Sequence, residues 1–102
     1  MRIAVATSDT VHVNEHFGRA DRFLIYDLVG PTPRYIETRP VTRLSTGDPD
    51  HPFDPARLAA IVQVLADCSR VYVTAIGERP AAELAARGIT PVLYEGAIAT
   101  LA

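Results

Sequence analysis

Two kinds of apolar pattern alternate along this chain. Continuous runs such as Ile3-Ala4-Val5-Ala6 and Val71-Tyr72-Val73 mark strands covered on both faces, whereas Leu58, Ile61, Val62 and Leu65 recur at helical spacing. The first strand is predicted from Arg2 to Thr7 and is broken by Ser8-Asp9. The stretch to Gly18 has no clean period and reads as a loop with room for one helical turn. Arg22 to Val29 and Arg34 to Arg39 form the next two strands, joined by the turn residues Gly30-Pro31-Thr32-Pro33 into an antiparallel hairpin.

Pro40 to Pro52 is a loop rich in Pro, Thr, Ser, Gly and Asp. Asp54 then offers an N-cap and Pro55 a first helical residue, with Phe53 placed to staple onto Leu58; this helix is expected to stop near Asp67-Cys68. Arg70 to Ile76 is a fourth strand. Gly77 leads into a second helix near Pro80, and Gly88 caps its end. A short strand from Thr90 to Tyr94 and a helical turn from Gly96 complete the chain. The order β-β-β-α-β-α-β, with two right-handed crossovers, predicts an α/β fold: a mixed five-stranded sheet flanked by helices.

Composition narrows the class. The 102 residues, 48% hydrophobic and 22% charged, suit one domain spanning 1–102. No apolar run is long enough to cross a bilayer, and Met1-Arg2 leads straight into a strand rather than a signal sequence, so a cytoplasmic protein without membrane contact is expected. A net charge of -2 argues against a broad nucleic-acid surface. The single cysteine, Cys68, excludes an internal disulfide and a cysteine-based zinc site. All ten cationic residues are arginine.

His12-Val13-Asn14-Glu15-His16 spells H-x-x-E-H, a zinc-hydrolase pattern. That chemistry needs a helix, a third ligand and a cleft, but Val11, Val13 and Asn14 are poor helix formers and Gly18 closes the segment. His12 reads as a loop residue. His16 has different company: Phe17, then Gly18, which permits close backbone approach, then Arg19, a fixed charge for an anion. Cys68 by spacing alone is a small core hydrophobe, although a thiolate also suits iron-sulfur chemistry. Gly77, ahead of a helix, offers backbone N–H groups to an anion or simply makes a turn.

The segments RIAVATSD, VNEHFGRADRFLIYD, LADCSRVYVTAIG and AAELAARGITPV together resemble the dinitrogenase iron-molybdenum cofactor-binding family from Arg2 to about Tyr94. The resemblance implies a ribonuclease H-like fold and a non-catalytic role in binding, storing or transferring an anionic iron-sulfur or iron-molybdenum cluster. Cofactor-assembly proteins or apo-nitrogenase would then be partners. It implies His16 and Cys68 as metal ligands and places Asp9, Asn14, Phe17, Gly18, Arg19 and Gly77 around the cargo. A permanent iron-sulfur cluster takes several thiolates, so one imidazole and one thiolate suit reversible holding. The chain departs from the family's pattern at Leu44 to His51, which has no cysteine; His51 is the candidate substitute ligand there by its position. A cluster-free interaction or regulatory module is the alternative in another class, and the zinc hydrolase a remoter one.

Overall fold

The computed structural model describes residues 1–45 and 54–101; His51, the Phe53 staple and most of the predicted loop lie outside them. The main sheet has the order β4-β3-β1-β5-β6, with β1 Arg2–Ala6, β3 Arg22–Asp27, β4 Arg34–Pro40, β5 Arg70–Val73 and β6 Thr90–Leu93. β1, β3 and β4 run antiparallel, and β1, β5 and β6 parallel. This is the expected mixed sheet in ribonuclease H-like order. α1 (Pro55–Val64) and α2 (Glu78–Ala86) are its two crossovers.

Side chains alternate across the sheet, as the pleat requires. Ala4, Ala6, Phe23, Ile25, Val71 and Val73 face the helices, where they meet Leu58, Ile61 and Leu84. Ile3, Val5, Leu24, Tyr26 and Tyr72 face the other way. Among the described residues that second face carries no α-helix. Its cover comes from a small ribbon, β2 (His12–Val13) paired antiparallel with β7 (Gly96–Ala97), and from the final turn, which buries Ile98 and Leu101. The loop expected before Gly18 therefore contains a strand, and the turn expected from Gly96 begins as its partner. Two-residue strands are too short to leave a period in sequence.

Asp54 caps α1 by accepting from the Ala56 N–H at 2.8 Å, with Pro55 at the first helical position. α1 ends at Val64, earlier than predicted. Beyond that end, Asp67 is held by two strands. Its carboxylate takes a two-pronged contact from Arg39 on β4, at 2.6 and 3.0 Å, and a third bond from Arg2 on β1 at 2.9 Å. Arg39 also donates to the Val64 carbonyl at 2.8 Å, satisfying a helix-end acceptor.

Arg39, and secondarily Arg2, holds the Asp67 carboxyl well below the usual carboxylate range. A folded-state pKa below the unfolded one gives stability that is fully present above about pH 3.9 and is lost progressively below it, as pH falls through the lower folded-state pKa. The side chain is 44% exposed, so after solvent screening the network contributes about 1 kcal/mol. Asp67→Asn should therefore lower the melting temperature at pH 6, and its deficit against wild type should shrink progressively as pH falls below about 4. Calorimetry across that range checks it, and a gap that does not narrow on acidification would contradict this role.

Candidate functional site

The carboxyl ends of β1 and β5 lie side by side, and the chain leaves them in opposite directions. From β1 it returns towards β3; from β5 it crosses to α2. Such a divergence opens a crevice at the sheet edge, the usual ligand position in open α/β sheets. Here the crevice is about 380 Å³ and is lined by His16, Gly18, Arg19, Ser45, Ala75, Ile76 and Gly77. A more apolar cavity of about 310 Å³ shares Gly18, Ser45 and Gly77 with it and extends over Phe17, Leu44 and the start of α2.

Backbone bonds hold the walls. Thr74 N–H donates to the Glu15 carbonyl at 3.0 Å and Phe17 N–H to the Ala75 carbonyl at 2.9 Å, tying both sides of His16 to the end of β5. Those same bonds explain why β5 stops at Val73 instead of Ile76. On the opposite side, Ser45 N–H donates to the Gly18 carbonyl at 2.8 Å. Phe17 is the anchor: it starts a short 3-10 turn (Phe17–Arg19), is 1% exposed and meets Phe23 at a ring distance of 5.7 Å. The His16 imidazole is exposed and has no partner among the described residues.

Gly18 and Gly77 expose backbone to the crevice without being forced to be glycine. Neither has a positive φ, and a Cβ would meet Ser45 at 3.7 Å or Pro80 at 3.5 Å, ordinary contacts. Their smallness leaves space for a ligand rather than relieving strain. Gly77 is also the N-cap of α2 and supplies no side-chain cap, so the first N–H groups of that helix point outward beside the crevice.

Of the residues singled out in the sequence, His16, Gly18, Arg19 and Gly77 line this crevice, with Phe17 beneath it. Asp9 and Asn14 do not. Asp9 organises its own loop, accepting from Val11 N–H, His12 N–H and the Thr7 hydroxyl and pairing with His12 Nδ1 at 2.8 Å. These contacts, led by the His12 backbone bond, hold its carboxyl below the usual range. Asn14 closes the same loop through Ser8, at 2.8 Å and 3.0 Å. His12 is committed to Asp9 from β2, and no helix carries H-x-x-E-H, so the hydrolase geometry is absent. No set of three or more potential metal-binding side chains occurs among the described residues.

Cys68 is also placed elsewhere. It precedes β5 at the opposite edge of the sheet, where Ser69 N–H reaches the Arg2 carbonyl, whereas His16 is tied to Ala75 beyond the other end. Seven residues of near-extended chain separate the two ends, on the order of 20 Å, too far for both to ligate one group. The thiol is 4% exposed, donates to Asp67 and is pushed up to about 11, chiefly by burial. The Asp-Cys pair is thus a structural clamp with a packed thiol beside it. At neutral pH its thiolate fraction should be on the order of a hundredfold below that of a free cysteine. Alkylation by iodoacetamide, followed by mass spectrometry, should be slow until denaturant is added; rapid labelling of folded protein would refute this placement.

Ser45, Ala75 and Ile76 are lining residues that sequence reasoning missed. Ala75 and Ile76 read as strand interior, and nothing marked Ser45 within a polar loop. The carboxyl-end crevice rule, applied to the predicted order, was the available signal for Ala75 and Ile76.

Fold and crevice together define a small ribonuclease H-like domain that presents an imidazole, an arginine and bare backbone at one sheet edge. The chain belongs to the dinitrogenase iron-molybdenum cofactor family, whose model matches residues 1–101. It is 38% identical over 90 residues to the FeMo cofactor biosynthesis protein NifB of Frankia alni, covering 88% of this chain and 18% of that protein. Protein NifX of Sinorhizobium fredii is 31% identical, over 90% of this chain and 58% of its own length. The chain therefore spans only part of these relatives. Among solved structures, the crystal structure of PH0822 superposes with a TM-score of 0.68 at 27% identity, covering 96% of this chain and 83% of the other. No helix of the described residues is long and apolar enough to cross a membrane.

Proposed function

We propose that this domain reversibly binds and passes on an anionic iron-sulfur or iron-molybdenum cluster during nitrogenase cofactor assembly, without catalysing a reaction. The observation that carries the reading is the unpartnered His16 imidazole, set beside Arg19 and two glycines that leave room in an open crevice. A neutral imidazole is a good ligand for iron, and Arg19 adds charge complementary to an anionic cargo. The α2 N-terminus contributes a favourable dipole at the same edge. With Cys68 outside the crevice, holding falls to one side-chain ligand plus electrostatics, which suits release. Cytoplasmic cofactor-assembly proteins or apo-nitrogenase are the donor and acceptor this role requires.

Anaerobic titration with isolated iron-molybdenum cofactor, and separately with its iron-sulfur precursor, tests the proposal by optical and electron paramagnetic resonance spectroscopy. Saturable uptake near one cluster per chain is expected. Failure to bind either would leave the second reading, a cluster-free interaction module, which the placement of the only thiol outside the crevice favours. Metal content after anaerobic purification separates the two at little effort.

A further inference from the structure

On the other side of Arg19 from the crevice lies a separate small cavity of about 160 Å³. Three arginines line it: Arg19, Arg22 and Arg43. None of them forms an ion pair among the described residues, where the ion pairs involve Met1, Arg2, His12 and Arg39 as cations. Arg22 is the telling one. It is fixed by a bond from Nη2 to the Ser8 carbonyl at 3.0 Å, yet its Nε is buried without an acceptor. A buried guanidinium N–H left unpaired is costly, and a small shift of the side chain on binding an oxyanion at this cavity would let a ligand oxygen satisfy it.

The remaining lining sorts into groups with and without spare capacity. Thr7 is spoken for, since its hydroxyl donates to Asp9 and accepts from the backbone N–H groups of Asp9 and Thr10. Ser8 Oγ accepts from Asn14 Nδ2, which leaves its own proton to donate. Glu15 and Asp21 also line the cavity, neither within ion-pair distance of the arginines, and they reduce its formal charge to +1. That balance suits a small anion and disfavours an extended polyanion.

We propose that Arg19, Arg22 and Arg43, with the Ser8 hydroxyl, form a binding site for a small oxyanion beside the His16 crevice. The ligand class is a tetrahedral oxyanion or a small carboxylate; both present the paired oxygens that a guanidinium fork engages. The site stands independently of the cluster reading, although Arg19 borders both cavities. Occupation of one places a negative charge next to the guanidinium that serves the other.

The test titrates cargo-free protein with inorganic phosphate and, separately, with malonate at constant ionic strength, following arginine Nε–Hε resonances by NMR. A saturable shift of the Arg22 Nε–Hε signal is expected with at least one probe; the stronger binder tells whether the site prefers tetrahedral or carboxylate geometry. Arg43→Gln, an exposed loop substitution, should weaken binding about tenfold, and Arg22→Lys, which keeps the charge but removes Nε, by at least as much. His16→Ala should leave it unchanged. A linear, unsaturated response to both probes, or equal affinity in wild type and Arg43→Gln, would overturn the site. Because the readout uses no cluster, either result is separable from success or failure of the cluster titration.

Discussion

His16→Ala is expected to lose cluster retention by about a hundredfold or more, roughly 3 kcal/mol, while the fold stays intact. The side chain is exposed and has no partner among the described residues, so its removal leaves neither a cavity nor an orphaned polar group there. Two controls make the result specific. His12→Ala should retain cargo, because that ring belongs to β2 and the Asp9 loop. Cys68→Ala should also retain it, since the thiol packs at the opposite sheet edge. Metal content after anaerobic desalting is the measurement. Loss in Cys68→Ala with retention in His16→Ala would invert the assignment.

Phe17→Ala carries the largest expected effect on stability. Truncating a buried phenylalanine costs about 3–5 kcal/mol, through lost transfer energy and the cavity left behind. In a domain of this size the melting temperature should fall on the order of 15 °C or more. The ring is the only core anchor of the turn that presents His16 and Gly18, so weakened cargo binding is expected even at temperatures where the variant remains folded. Phe17→Leu should recover most of both properties. Calorimetry together with cluster titration checks the pair, and a loss below about 1 kcal/mol would mean the ring does not anchor the turn.

Much of the fold was legible because it rests on signals that sequence carries strongly. The β1 and β5 runs, the Asp54-Pro55 helix start and the Gly30–Pro33 turn each have local chemistry that permits few alternatives. The β2–β7 ribbon escaped because its two-residue strands are defined by each other, across more than eighty positions of chain. At the site, His16, Gly18, Arg19 and Gly77 were recognisable from their types and company. Asp9 and Asn14 lie outside the crevice, which their types do not reveal because polar residues beside a candidate site resemble those that build its loop; only their hydrogen bonds distinguish the two. Cys68 shows the same limit. Its neighbour Asp67 is bound by arginines from two other strands, a long-range arrangement that explains the Asp-Cys pair without any metal.

The bonds from Thr74 to Glu15 and from Phe17 to Ala75 hold the backbone on either side of His16 against the sheet edge. The histidine's main chain is thus ordered during folding, and that conformational entropy does not have to be lost again when cargo arrives. Only the imidazole rotor remains to be fixed. On the proposed reading, capture by such a preorganised group would be governed by encounter rather than by rearrangement, and a single ligand would suffice because almost nothing opposes its engagement.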